Sequence, residues 1–89
     1  MSAPASARFT ESVDWADARV STSGRLTPAA ADLLGGTAEL LRRAGHDCVT
    51  VELHAADDAG IAALRAVTAD LRVRHCELVV LWEEKENML

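Results

Sequence analysis

Apolar and polar residues alternate, then wind, then alternate again along this chain, and the two periods predict its elements in order. From Phe9 to Trp15, the residues Phe9, Val13 and Trp15 share one parity against Thr10, Ser12 and Asp14, with Glu11 the single polar residue on the apolar side. That period of two predicts a strand. Arg19-Val20-Ser21-Thr22-Ser23, rich in β-branched and small residues, predicts a second strand over 18–23, joined to the first by a hairpin turn at Ala16-Asp17. Gly24 ends that strand, and Leu26 turns an apolar side chain inward as the chain enters a helix at Thr27-Pro28. The Thr hydroxyl accepts a backbone N–H that lacks a partner in the first turn, and proline has no donor to lose there.

In this first helix Leu33, Leu34, Thr37, Leu40, Leu41 and Ala44 recur at helical spacing and predict its buried stripe. Gly35-Gly36 weakens the middle by roughly 1 kcal/mol per glycine relative to alanine, which predicts a bend or a close approach to the sheet. Arg42 and Arg43 suit the negative helix end, and Gly45 supplies a left-handed stop. Cys48 to Leu53 alternates cleanly and predicts a third strand with Val49, Val51 and Leu53 on one face. Asp57-Asp58 supplies a cap for a second helix whose inner face is Ile61, Leu64, Val67, Thr68 and Leu71. Cys76 to Trp82 is apolar on both parities, which predicts a final strand buried on both faces. The order is β-β-α-β-α-β: an α/β fold with an open sheet of about four strands, the last two parallel, and both helices on one face.

With 89 residues the chain makes one domain, here 9–82, between a flexible N-terminal arm (1–8) and an acidic tail (83–89). Nine Lys and Arg against fourteen Asp and Glu leave a net charge of −5, which opposes attraction to nucleic acid or an anionic bilayer. Aromatic residues are 3% of the chain, so there is no base-stacking platform either, and the core must be built from Leu, Val and Ala. The apolar run Leu78–Trp82 is far short of the ~20 residues that cross a bilayer. The opening segment lacks the basic-then-apolar order of a secretory signal, and the expected location is the cytoplasm.

Candidate chemistry is sparse. No Gly-rich phosphate-binding segment follows a strand, no catalytic constellation is visible, and no cofactor is expected. Cys48 and Cys76 are expected as free thiols, because a bridge needs both on one face of neighbouring strands. His46, His54 and His75 are scattered at element ends without metal-ligand spacing. His54, Asp57 and Asp58 cluster just past a strand end, where open α/β sheets place ligands, so a small ligand- or metal-binding sensor is one reading of that loop. The competing reading makes the aspartates a helix cap.

The element order and two segments together resemble a STAS domain, the fold of bacterial anti-sigma factor antagonists. Val20 to Pro28 is similar to that family's second strand and Gly-x-Leu junction, and Val49 to Leu53 to its central strand, with Glu52 where an Asp is common. Asp57-Asp58-Ala59-Gly60-Ile61 resembles the family's Asp-Ser-Ser/Ala-Gly-Leu segment at the start of helix two. In the family a Ser or Thr at the second position of that segment is phosphorylated by a partner anti-sigma factor, and the added charge releases the pair. Here that position is Asp58, so the resemblance implies binding insensitive to kinase and ATP, with Asp58 either imitating the charged state or serving only as a cap. The Leu53–Asp57 loop is also about three residues shorter than usual in the family, and the last helix many members carry is missing. An uncovered apolar strand there favours a protein partner or a homodimer.

The resemblance thus implies a protein-binding module in bacterial partner switching, not an enzyme, with an anti-sigma factor or related protein as its ligand. The expected contact residues are Asp57, Asp58, Ala59, Gly60 and Ile61, with Arg65 on the exposed face of the helix that follows and Gly24 and Thr27 from the junction. A second reading within the same fold is a cytoplasmic accessory subunit of a lipid or anion transporter.

Overall fold

The computed structural model describes residues 9–83, so the proposed arm (1–8) and the tail beyond Glu83 lie outside the described residues. Strands β1 (Thr10–Asp14), β2 (Arg19–Ser23), β4 (Cys48–Leu53) and β6 (Glu77–Trp82) form one mixed sheet in the order β1-β2-β4-β6. β1 pairs antiparallel with β2, and the β2–β4 and β4–β6 pairs are parallel. Helices α1 (Pro28–Arg43) and α2 (Asp58–Val73) supply the crossovers and pack against each other on one face. This is the α/β architecture and β-β-α-β-α-β order that periodicity predicts. A further ladder pairs two two-residue strands, β3 (Arg25–Leu26) and β5 (Ala55–Ala56), in parallel.

The register lines up Val13, Val20, Val51 and Val80 across the sheet on the helix side. Val20, Thr22, Val49, Val51, Leu53 and Leu78 are buried there, and Thr22 satisfies its hydroxyl by donating to the Glu52 carbonyl at 2.7 Å. The other face is polar from β1 to β4. On it Arg19 pairs with Glu52, Ser21 donates to Glu52 Oε1 at 3.1 Å, and Thr10 and Ser23 share a hydrogen bond. The Arg19 guanidinium first, and the Ser21 hydroxyl second, hold the Glu52 carboxyl below its ordinary range. Only at β6 does this face turn apolar, with Val79 and Leu81.

Several sequence expectations need correction. The first turn spans Trp15 to Ala18 instead of Ala16-Asp17: Asp14 Oδ1 accepts from the N–H groups of Ala16 and Asp17, and Ala18 takes a positive φ of 53°. Trp15 therefore leaves the strand and is exposed. In α1 the buried residues are Ala30, Ala31, Leu34, Ala38 and Leu41, whereas Leu33 and Leu40 are 48% and 55% exposed and Ala44 is exposed. The stripe is rotated because small side chains let α1 lie close to the sheet, and its flank reaches β1 through Thr37, which donates to Glu11 Oε2 at 2.7 Å. Gly35 approaches Val67 of α2, not the sheet, and Gly36 faces open space.

β6 is an edge strand and not a doubly buried one: Leu81 and Trp82 are 39% and 51% exposed. Cys48 is exposed and Cys76 buried, both free. Since Cys48 pairs with Glu77, Cys76 projects to the opposite face from Cys48, and burial raises its thiol pKa. Gly45 takes the expected left-handed conformation at the end of α1, with φ 110°. Among the described residues no helix is long and apolar enough to cross a membrane.

Candidate functional site

The site begins with two helix caps. Thr27 caps α1 by accepting from Ala30 N–H at 3.2 Å, and Asp57 caps α2 by accepting from Gly60 N–H at 2.7 Å. Of the acidic pair, Asp57 is therefore the cap, while Asp58 is the first helical residue and leaves its carboxylate exposed near the positive helix end. The proline at N1 and the cap at Thr27 follow the sequence expectation.

The two short strands bring these caps side by side. Leu26, fully buried, accepts from Asp57 N–H through its carbonyl at 3.1 Å. That carbonyl also lies against Gly60 so closely that a Cβ there would sit 2.1 Å from the oxygen and 2.7 Å from the carbon. Only glycine fits, because both clashing atoms are backbone. Gly24, with φ 96°, turns the chain out of β2 so that Arg25 and Leu26 can pair with Ala55 and Ala56, and Arg25 Nη1 reaches the Ala56 carbonyl at 3.4 Å. The junction after β2 and the segment opening α2 are thus one physical unit.

On that corner Asp58 and Ala59 are exposed, Asp57, Ile61, Gly24 and Thr27 are half-buried, and Gly60 is buried. Gly60 packs against the Leu26 carbonyl. Arg65 lies one turn further along α2, exposed, where it lines an open groove of about 200 Å³ with Ile61, Leu64, Thr68, Val80 and Trp82. The inward turn of Leu26 was legible in the sequence, but its carbonyl's tie to Asp57 and the pairing of Arg25 were not, because a two-residue strand has no period by which to find them.

Asp57 Oδ1 is occupied by its own helix terminus, His54 is exposed between β4 and β5, and among the described residues no three His, Cys, Asp or Glu side chains converge as a metal cage. The surface left at the corner is a small, shallow one: a carboxylate, an alanine methyl and the edge of an isoleucine. A scan against protein-family models finds no match to this chain, and searches of the curated proteins and of the solved structures find none.

Proposed function

We propose that the protein is a STAS-like binding module that docks a partner protein on the corner at the start of α2, as an anti-sigma factor antagonist does in bacterial partner switching. One observation carries this reading: the Gly-x-Leu junction and the Asp57–Ile61 segment, far apart in sequence, meet through the Leu26 carbonyl and present Asp58 and Ala59 outward. A first turn with short side chains gives a partner close access to the backbone, and helix capping there is satisfied internally, so the corner is rigid before binding. Binding, not catalysis, is the role.

Asp58 stands where a phosphorylatable hydroxyl would make the contact switchable. A carboxylate cannot accept phosphate as a Ser hydroxyl does, so the complex persists in the presence of ATP. The test uses the immobilised full chain to capture a kinase-fold anti-sigma protein, with Ala59→Trp and Asp58→Arg as variants that alter the exposed corner while leaving the Asp57 cap. The reading expects capture by the wild type and loss of at least tenfold in affinity by both variants, with unchanged melting temperatures. Retention of a transporter subunit instead, or capture indifferent to both substitutions, would overturn it.

A further inference from the structure

The edge of the sheet at β6 has chemistry of its own. In the parallel ladder with β4, Glu77 N–H donates to the Asp47 carbonyl at 2.9 Å and Glu83 N–H to the Leu53 carbonyl at 2.8 Å. The backbone groups of the odd-numbered residues thus point toward β4, and those of Leu78, Val80 and Trp82 point outward. Among the described residues no strand pairs with that outer side. The edge has none of the usual protections: from Leu78 to Trp82 it contains no charge and no proline, and it is apolar on both faces. By contrast, the open face of the same sheet is polar over β1, β2 and β4.

We propose that β6 pairs antiparallel with β6 of a second copy, about a two-fold axis through Val79, giving one continuous eight-stranded sheet. The register follows from charge and parity. An even sum of paired residue numbers is required if the apolar faces of the two copies are to stay aligned. An axis at Val80 would set Glu77 opposite Glu83, a like-charge pair in close cross-strand contact. An axis at Val79 sets Val79 against itself, Leu78 against Val80 and Glu77 against Leu81, and leaves Glu83 beyond the paired segment. The outward backbone groups of Leu78 and Val80 then bond to each other in both copies. Each edge is therefore complementary to itself, which is what an isologous interface requires. The perpendicular axis keeps all four helices on one face and places the Trp82 and Ile61 groove of each copy along the seam. This inference stands apart from the docking corner and does not depend on it.

Sedimentation velocity of the full chain across a concentration series is the test, with two variants, of which Val79→Lys lies off the core and Val80→Pro also trims a side chain packed against it. Val79→Lys places like charges on the axis from a half-exposed position. Val80→Pro removes an outward N–H while leaving the ladder to β4 intact. The proposal expects a concentration-dependent dimer for the wild type and at least a tenfold weaker dimer for both variants, each retaining the wild-type circular dichroism spectrum. In a Cys48→Ser, Cys76→Ala background, Val79→Cys should oxidise to a covalent dimer and Leu81→Cys should not, because only residue 79 faces its own copy. A wild-type chain that stays monomeric at every concentration overturns the proposal, as does a dimer indifferent to both variants or one cross-linked through residue 81 and not 79. A monomer whose Leu78 and Val80 amides resist hydrogen exchange overturns it too, with the edge then covered by the chain itself.

Discussion

At the scale of single residues, the three glycines of the helices have different fates because they meet different surroundings. At Gly60 an added methyl strikes the Leu26 carbonyl, which is backbone and fixed by its bond from Asp57, so Gly60→Ala is expected to destabilise by about 3 kcal/mol. At Gly36 nothing lies within 4 Å, and Gly36→Ala should stabilise by about 0.5–1 kcal/mol through helix propensity. Gly35 is intermediate: its Cβ would meet the Val67 methyls at 3.3 Å, a side chain with room to yield. Denaturant unfolding of the three alanine variants checks this order, and a neutral Gly60→Ala would mean that the junction and the α2 start are not locked together. Asp57→Ala should cost about 1 kcal/mol as a lost cap, with Asp58→Ala nearly neutral, since only Asp57 bonds the helix terminus. Glu11 is the residue that least resembles its surroundings. Its Oε2 is held by Thr37, and its Oε1 is buried without a hydrogen-bond partner among the described residues.

At the scale of elements, the far ends of the helices are tied by charge as their near ends are tied by the Leu26 carbonyl. Glu39 of α1 binds Arg42 at 2.7 Å, Arg43 at 3.1 Å and Arg74, just past α2, at 3.3 Å. Its pKa is lowered from 4.5 to about 2, chiefly by the hydrogen bond from Arg42, with the Arg43 bond and the nearby Arg74 charge adding to it. Because the folded pKa lies below the unfolded one, this carboxylate contributes stability in full above about pH 4.5 and loses it as pH falls toward about 2. Glu39→Gln should therefore be less stable than the wild type at neutral pH, with the gap closing over that window; a gap unchanged down to pH 2 would contradict the assignment. High salt should narrow it too, since the arginines are partly exposed.

Element identity was readable from the sequence because each signal is local: alternation marks β1 and β4, β-branched and small residues mark β2, and the cap at Thr27, the pair Asp57-Asp58 and the stop at Gly45 mark the helix ends. What was not readable depended on distant partners. Leu33 and Leu40 outrank Ala30 and Ala38 in hydrophobicity, yet the alanines face the sheet because close helix approach rewards small side chains. β6 is apolar on both parities, but whether such a strand is central or marginal is decided by the order of the sheet and not by its own residues. The site divided the same way. A cap from the Asp57-Asp58 pair followed from helix chemistry, but which of the two bonds the helix end did not, and the pairing of β3 with β5, which assembles the corner, spans about thirty residues and leaves no trace in either dipeptide.

At the scale of the whole molecule, the proposed docking corner and the β6 edge are distinct in chemistry but adjoin at the groove that Ile61 and Arg65 share with Val80 and Trp82. One is small and pre-formed by hydrogen bonds; the other is extended and apolar, with no strand paired to its outer side among the described residues. With Asp58 in place of a hydroxyl, a complex with a kinase-fold partner should survive ATP and magnesium, and Asp58→Ser should make it dissociate as the new hydroxyl is phosphorylated. Size-exclusion chromatography with phosphate mapping reads both outcomes; dissociation of the wild-type complex with phosphate on another Ser or Thr would refute the first.

The most direct measurement is hydrogen exchange of the full chain, free and in complex with the captured partner. The account predicts new protection concentrated at Asp58 to Ile61 and at the Gly24–Thr27 junction, the two segments joined by the Leu26 carbonyl. Protection confined to the β6 edge, or to the polar face carrying Arg19 and Glu52, with the α2 start unchanged, would contradict it.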